Sequence, residues 1–414
     1  MCRKKFTLLC FLSFAVLLLQ GQGLINNGAK IIICQGAIIQ GGSYTNLYGG
    51  ADGSIDLDGR LVLQGNWTND ANTENVFINM ETTPDGNVEL TGASGQSIAG
   101  STPTLFENLV LQNGEKTLNI SGAGVKGLTT LDSYFDLNHH RFIIENNATN
   151  AIYYVSGCFI SENPPATGLG EIEWKTGVTA GNFAVPFGTG TANNDLNLVV
   201  TYKNAVAQPS GSLIVATWPT DASNQPLPDA ATSLDTYKPE DILDRYWKVD
   251  ANYIAKPDAA ITFSYTLYDD DIIDNPELDA ENLKPLVYKT TSSRWFIPST
   301  SEIADPSLKR ISVDNIHSED FFTYWTLTDA NGDLIIPNTF SPNSDGINEV
   351  FYIENIGNYP GNKVSVYNRW GSKVFSATDY KNDWTGDELP AAAYYYIVEL
   401  PDGTKKSGDI NIIR

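Results

Sequence analysis

The chain has 414 residues, enough for two or three domains with a core each, and carries 49 acidic against 26 basic residues, a net charge of −23. A chain this acidic repels nucleic acid and anionic membrane surfaces, which excludes both as partners.

In chain order, the first element is MCRKKFTLLCFLSFAVLLLQGQG. Arg3, Lys4 and Lys5 precede an apolar run from Phe6 to Leu19, and small or polar residues follow around Gly21. That order predicts a secretory signal peptide over 1–22, cleaved between Gly21 and Gly23. An uncleaved anchor fits less well, because the run falls short of the roughly 20 apolar residues a span needs. Cys10 lacks the small-residue context of a lipid-attachment site. After cleavage no transmembrane segment is expected, and the charge becomes −26, with 23 basic against 49 acidic residues. Only Cys34 and Cys158 then remain, either as a disulfide or as two buried thiols.

No stretch sustains a period of 3.6, whereas short alternating runs bounded by Gly, Asn, Asp and Pro recur throughout, so the expected class is all-β. Over 23–165 the texture is Gly- and Asn-rich, with brief strands in SIDLDGRLVLQGNW, NVELTG, ENLVLQN, KTLNISG and HRFIIEN. Their spacing of about ten residues suits a sandwich or barrel, and equally the rungs of a β-solenoid with Asn and Gly at the corners. GNVELTGASGQSIAG and FENLVLQNGEKTLNISGAGVKGLTTLDSYFDL resemble rungs of surface adhesin-like proteins, which favours the solenoid and implies an extended stalk.

After Asn163-Pro164-Pro165 the composition changes. Residues 166–332 carry longer strands, among them EIEWKTG, LNLVVTYKN, GSLIVATW, RYWKVDA, AAITFSYTLYD, LKPLVYKT and FFTYWTLTD, which suit a central β-sandwich. The insert from Thr220 to Asp241 is polar and Pro-punctuated, and reads as a long surface loop or a short mobile excursion. A last region spans 333–414.

Few motifs carry chemistry. NTFSPNSDGINEVF tests poorly as an EF-hand, because aligning Gly346 with the loop's sixth position places Tyr352 where a bidentate Glu belongs. Another calcium geometry through Asn343, Asp345, Asn348 and Glu349 stays open. So does a bare turn in which Pro342 fixes φ, Asp345 accepts backbone hydrogen bonds and Gly346 supplies the left-handed residue. Asp269, Asp271 and Asp274, with Asp270, form the densest acidic run, either a solvated loop or a cation site. TDANGDLII offers Asp329, Asn331 and Asp333 but has Leu334 where Gly is required. A structural Ca²⁺ is thus the one cofactor under consideration.

His139, His140 and His317 are the only histidines, and no nucleophile elbow, HExxH helix, phosphate loop or CxxC pair occurs. A glycosidase needs only two carboxylates, and no spacing singles out a pair here. Trp174, Trp218, Trp247, Trp295, Trp325, Trp370 and Trp384 are candidates for stacking on sugars, or core anchors within apolar strands.

The final region adds an ordered set of motifs. A turn with Pro342, Asn343, Asp345, Gly346 and Asn348 is followed by Tyr359 and Pro360, then by Tyr367, Asn368, Arg369, Trp370 and Gly371. Trp384 and Gly386, Leu389 and Pro390, a Tyr-rich strand with Tyr394 and Tyr395, and a last strand ending in Arg414 complete it. Together they resemble the gliding-motility-associated C-terminal domain of Bacteroidetes, the type B sorting domain of the type IX secretion system. Ala391-Ala392-Ala393 departs from the Gly-containing pair common in the family at that point. The resemblance implies a C-terminal immunoglobulin-like sandwich, the type IX machinery as partner, and a secreted or cell-surface location reached through the periplasm. Independently, KVSVYNRWGSKVFSA reads as a hairpin turning at Trp370-Gly371, and AYYYIVEL with GDINIIR as a closing hairpin around PDGTKKSG.

The expected function is therefore that of an exported, adhesin-like, non-enzymatic surface protein. The alternative is a carbohydrate-binding or polysaccharide-degrading one, with an extracellular glycan or protein as ligand.

Overall fold

A computed structural model describes residues 23–78, 85–189, 196–204, 208–234, 237–265, 278, 283–298, 301–305, 307–314, 316, 318–329, 334–343, 347–359, 361–386, 388–400 and 403–414, with the backbone of 16–18. The protein is nearly all β, with 46% strand against 4% helix, as the absence of any 3.6 period requires. Among the described residues no helix is long and apolar enough to cross a membrane. Two compact units form: residues 1–235 with 242–327, and residues 236–241 with 328–414.

The N-terminal part of the first unit is a parallel β-solenoid. One face stacks Ile38–Gly41, Arg60–Leu63, Asn87–Leu90, Asn108–Gln112, Thr129–Asp132 and Ile152–Tyr154, each paired in parallel with the next. A second face stacks Leu24–Asn27, Tyr44–Leu47, Trp67–Asp70, Gln96–Gly100, Lys116–Leu118, Phe135–Asp136 and Phe159–Ile160. Strands of the first face begin at residues 38, 60, 87, 108 and 129, so one turn takes 22, 27, 21 and 21 residues. The apparent ten-residue rhythm is thus a sub-period, because each turn visits three sides. Val16–Leu18, inside the expected leader, lies parallel to Ile38–Gln40, and the rest of that leader is outside the described residues.

Alternation within each short strand places every second side chain in the core, where rings stack between turns. Tyr44 lies on Trp67 with centroids 4.4 Å apart, and Trp67 meets Phe77 and Phe106 at 5.6 and 5.0 Å. Beside them runs a buried ladder of Asn26, Asn46 and Asn69, in register on successive turns. The Asn69 amide donates to Thr73 O and Pro103 O, and its Oδ1 accepts from Asn46 and from Ala71 N. These bonds satisfy backbone at corners where no strand partner exists, which strands this short require. Asn69 pairs with Gly100 on the next turn, and the ladder ends there. Gly100 has φ 133°, and a Cβ on it would sit 2.1 Å from Asn69 O.

Within its own sheet, Glu171–Trp174 is the strand at which parallel pairing gives way to antiparallel. It lies parallel to Arg141–Ile144 on one edge and antiparallel to Ser212–Pro219 on the other. From there the sheet continues through Arg245–Asn252, Tyr324–Asp329, Leu283–Lys289 and Arg294–Phe296. A second, antiparallel sheet holds Gly181–Val185, Leu198–Tyr202, Ala259–Ser264, Arg310–Asp314 and Ser301–Asp305. Phe263 of this sheet meets Trp247 and Trp325 of the first at 5.0 and 5.3 Å, so these tryptophans are core anchors. One apolar core runs from Ile33 to Leu327.

Over residues 220–234 the insert is a surface loop, the first of the two readings, and it is tied to the sheet beneath it. Trp218 Nε1 donates to Pro226 O, Tyr288 OH to Ala230 O and Trp295 Nε1 to Ser233 O. The segment covers an aromatic patch whose polar atoms need acceptors, and its carbonyls supply them.

The second unit contains one five-stranded sheet in the order Thr339–Phe340, Lys405–Ile412, Ala392–Glu399, Lys363–Tyr367, Lys373–Thr378. Both expected hairpins form. In the first, Asn368 Oδ1 accepts from Trp370 N and Ser372 N, and Gly371 has φ 79°. The hairpin turn is thus built on an Asn side chain, with Gly where the left-handed backbone demands it.

Candidate functional site

Of the weak metal candidates, Asp345, Asp269, Asp271 and Asp274 lie outside the described residues, as do Gly346 and Pro360. Around the opening motif, Ser341 N donates to Asn348 O at 2.8 Å and Asn343 N to Ser341 O at 2.8 Å, closing the loop on its own backbone. The left-handed residue seen there is Asn348, with φ 55°. Among the described residues no three His, Cys, Asp or Glu side chains gather as a metal site.

Two carboxylates do come together at the strand where pairing switches. Glu171 Oε2 receives Arg141 Nε at 2.8 Å and Glu171 Oε1 receives Lys248 Nζ at 2.7 Å. Glu173 is held by Lys175 at 2.5 Å, Ser212 at 2.9 Å and Arg141 at 3.2 Å. Burial raises the pKa of both acids, but these hydrogen bonds and charges outweigh it and leave each below the ordinary carboxylate value. A glycosidase acid needs the opposite shift, so this pair holds the sheet junction together and is not shaped for proton donation.

In the terminal unit the motif residues separate into two sets. One set is core. Trp384 is buried, stacked on Phe375 at 4.7 Å, and meets Phe340 and Phe351 at 5.6 and 6.1 Å. Gly386 has φ 77°, and a Cβ there would press on Ile412 and Phe340. Tyr359 O accepts the amide of Asn362, and Arg414 Nε donates to Leu389 O at 3.1 Å. These residues shape the module.

The other set faces out. On Ala392–Glu399, Tyr394 and Val398 point into the core, and Tyr395 and Ile397 point away from it. Tyr395 stands opposite Tyr367 on one neighbouring strand and Asp409 on the other, while Ile397 stands between Ser365 and Ser407. The Asn368–Gly371 turn projects beside them, with Trp370 77% exposed and Tyr395 53% exposed. Arg369 lies over the Trp370 ring at 4.9 Å, and Lys373 over Tyr367 at 5.7 Å. Tyr367, Asn368, Arg369, Gly371, Tyr395 and Asp409 are among the residues around an open cleft of about 560 Å³.

Sequence reasoning had found the turn but not the opposing strand residues Ile397, Lys363, Lys373, Lys405 and Asp409. The signal was present in the period of two in AAYYYIVE and KVSVY, which sorts one tyrosine outward and its neighbours inward. An aromatic and basic surface of this kind offers stacking, cation–π contact and charge to a partner.

A family model described as CHU_C Type IX secretion signal domain matches residues 334–412, which cover this sheet and its outward face. Comparison with curated proteins and with solved structures found no match.

Proposed function

We propose that this is a secreted or cell-surface protein of a Bacteroidetes organism, led into the periplasm by residues 1–22 and exported by the type IX secretion system through residues 333–414. The single observation that carries the export reading is the match of 334–412 to the type IX secretion signal domain. The cargo, a solenoid over 23–165 leading into a β-sandwich, acts as a non-enzymatic adhesin. Support for that part comes from the long parallel sheet faces of the solenoid, a surface for contact along its length, and from carboxylates at the sheet junction engaged with cations. The terminal module is read as immunoglobulin-like.

Deleting 338–414 in the producing cell tests the export reading. Retention of the cargo in the periplasm is expected, and undiminished delivery to the surface or medium would sink it.

A second reading, a carbohydrate-binding surface, is favoured by one observation: Tyr153 and Tyr154, on the last strand of the solenoid's first face, are both exposed. A glycan array together with a reducing-sugar assay on residues 23–333 separates the two. Binding without sugar release supports a lectin-like cargo, release supports an enzyme, and neither supports protein adhesion.

A further inference from the structure

The outward face of the terminal sheet has a charge opposite to that of the chain it belongs to. Among the described residues it carries Lys363, Arg369, Lys373 and Lys405 against Glu399 and Asp409, on a protein of net charge −23. Lys405 lies 3.4 Å from Glu399, and the two rings of Trp370 and Tyr367 already hold Arg369 and Lys373 above them. Tyr367 and Tyr395 opposite each other, Ile397 two residues along and the exposed Trp370 in the adjoining turn are not needed by the core, which is filled from the opposite side of the same strands.

We infer that this face, centred on Tyr367, Trp370, Tyr395 and Ile397, is the surface by which the module docks on the export machinery, and that its partner there is a protein surface that is acidic with apolar side chains at its centre. The inference rests on the export reading above. Aromatic anchors in a shallow cleft supply the buried centre of such an interface, and the four basic residues form a rim that steers a negatively charged partner. The same charge also attracts the acidic cargo of other copies, and it is the aromatic anchors, selecting by shape as well as charge, that favour a dedicated partner.

The test uses the full chain in its producing cell with four variants. Trp370→Ser with Tyr395→Ser removes the anchors. Arg369→Glu with Lys373→Glu reverses the rim. Lys381→Glu places a charge reversal of the same kind off the face, and deletion of 338–414 reports on export itself. All substituted side chains are solvent-facing, and circular dichroism with a thermal midpoint on each purified chain confirms that folding is unaltered. Expected is at least a tenfold fall in exported protein for both face variants, with accumulation in the periplasm, and none for Lys381→Glu. Normal export of either face variant while the deletion is retained overturns the docking surface and leaves the export reading standing. Normal export of the deletion overturns the export reading. Face variants that are exported normally but no longer stay on the cell would assign the face to an anionic surface glycan, and this also overturns the inference.

Discussion

Arg245, 1% exposed, holds Glu162 through both terminal nitrogens at 3.0 and 3.1 Å and reaches Thr217 Oγ1 at 3.2 Å. The pair joins the stretch just past the seventh solenoid turn to a central antiparallel strand. Removing the carboxylate alone leaves a buried guanidinium with its main counter-charge gone, and Glu162→Ala should destabilise the first unit by about 3 kcal/mol. Arg245→Met should cost less, because the carboxylate it leaves behind belongs to Glu162, whose side chain is 23% exposed and can be hydrated. Urea unfolding of the full chain checks the order of the two midpoints, and an unchanged midpoint for Glu162→Ala refutes it.

The asparagine ladder makes a separate demand. Asn69→Ala strands the Thr73 and Pro103 carbonyls and the Ala71 amide, and should cost about 3 kcal/mol. Gly100→Ala, a change usually mild on a strand, should be at least as damaging, since its Cβ meets backbone rather than a flexible side chain. Both variants are to be compared by thermal unfolding with Gly50→Ala. That position also has positive φ, but no atom lies within 4 Å of its Cβ. Equal effects at Gly50 and Gly100 would mean that φ alone, and not the ladder, sets the penalty.

Lys116 is fully buried on the solenoid's second face, its Nζ donating to Gly92 O at 3.2 Å and to Gly114 O. Burial lowers its pKa to about 8. Between that value and the unfolded pKa near 10.4, the unfolded chain holds a proton that the folded chain has released, so stability rises with pH at up to about 1.4 kcal/mol per pH unit. Burial raises the pKa of Tyr44 and Tyr246, which reverses the trend once unfolded tyrosines ionise above about pH 10. Unfolding free energies at pH 7.5, 8.5 and 9.5 should climb for the wild type and lose that climb in Lys116→Met. A flat wild-type profile would contradict the assignment.

Neither cysteine is in a disulfide. Cys34 lies just before the Ile38–Gly41 strand and Cys158 just after Ile152–Tyr154, at least five strand spacings apart, roughly 24 Å at about 4.8 Å each. That is far beyond the roughly 7 Å a disulfide tolerates between Cα atoms. With residues 1–22 removed, a thiol reagent should find two thiols per denatured chain without reductant. In the native protein Cys34 should react first, because Cys158 is buried. Fewer than two thiols would show a bridge.

How much of this was legible beforehand differs by element. The strand pattern in EIEWKTG, GSLIVATW or KVSVY is local, because side-chain alternation records which face is buried, and those strands formed where expected. Ser301–Asp305 was missed: SEIAD holds too few apolar residues to announce an edge strand. The solenoid was one of two readings because short strands look alike whether their partners are adjacent in sequence or a full turn away. The Asn ladder was written in the sequence as Asn26, Asn46 and Asn69, spaced 20 and 23 residues apart, but only register makes those spacings equivalent.

The sequence by itself determined that the chain is acidic, nearly all β and closed by an export module, since composition, period and an ordered motif series are properties of the chain alone. It could not determine that Cys34 and Cys158 stay apart, that Thr220 onward is pinned under Trp218, Tyr288 and Trp295, or that Tyr395, Tyr367 and Trp370 share one exposed face. Each of those depends on which distant segments become neighbours, and pairing register, a long-range quantity, decides that.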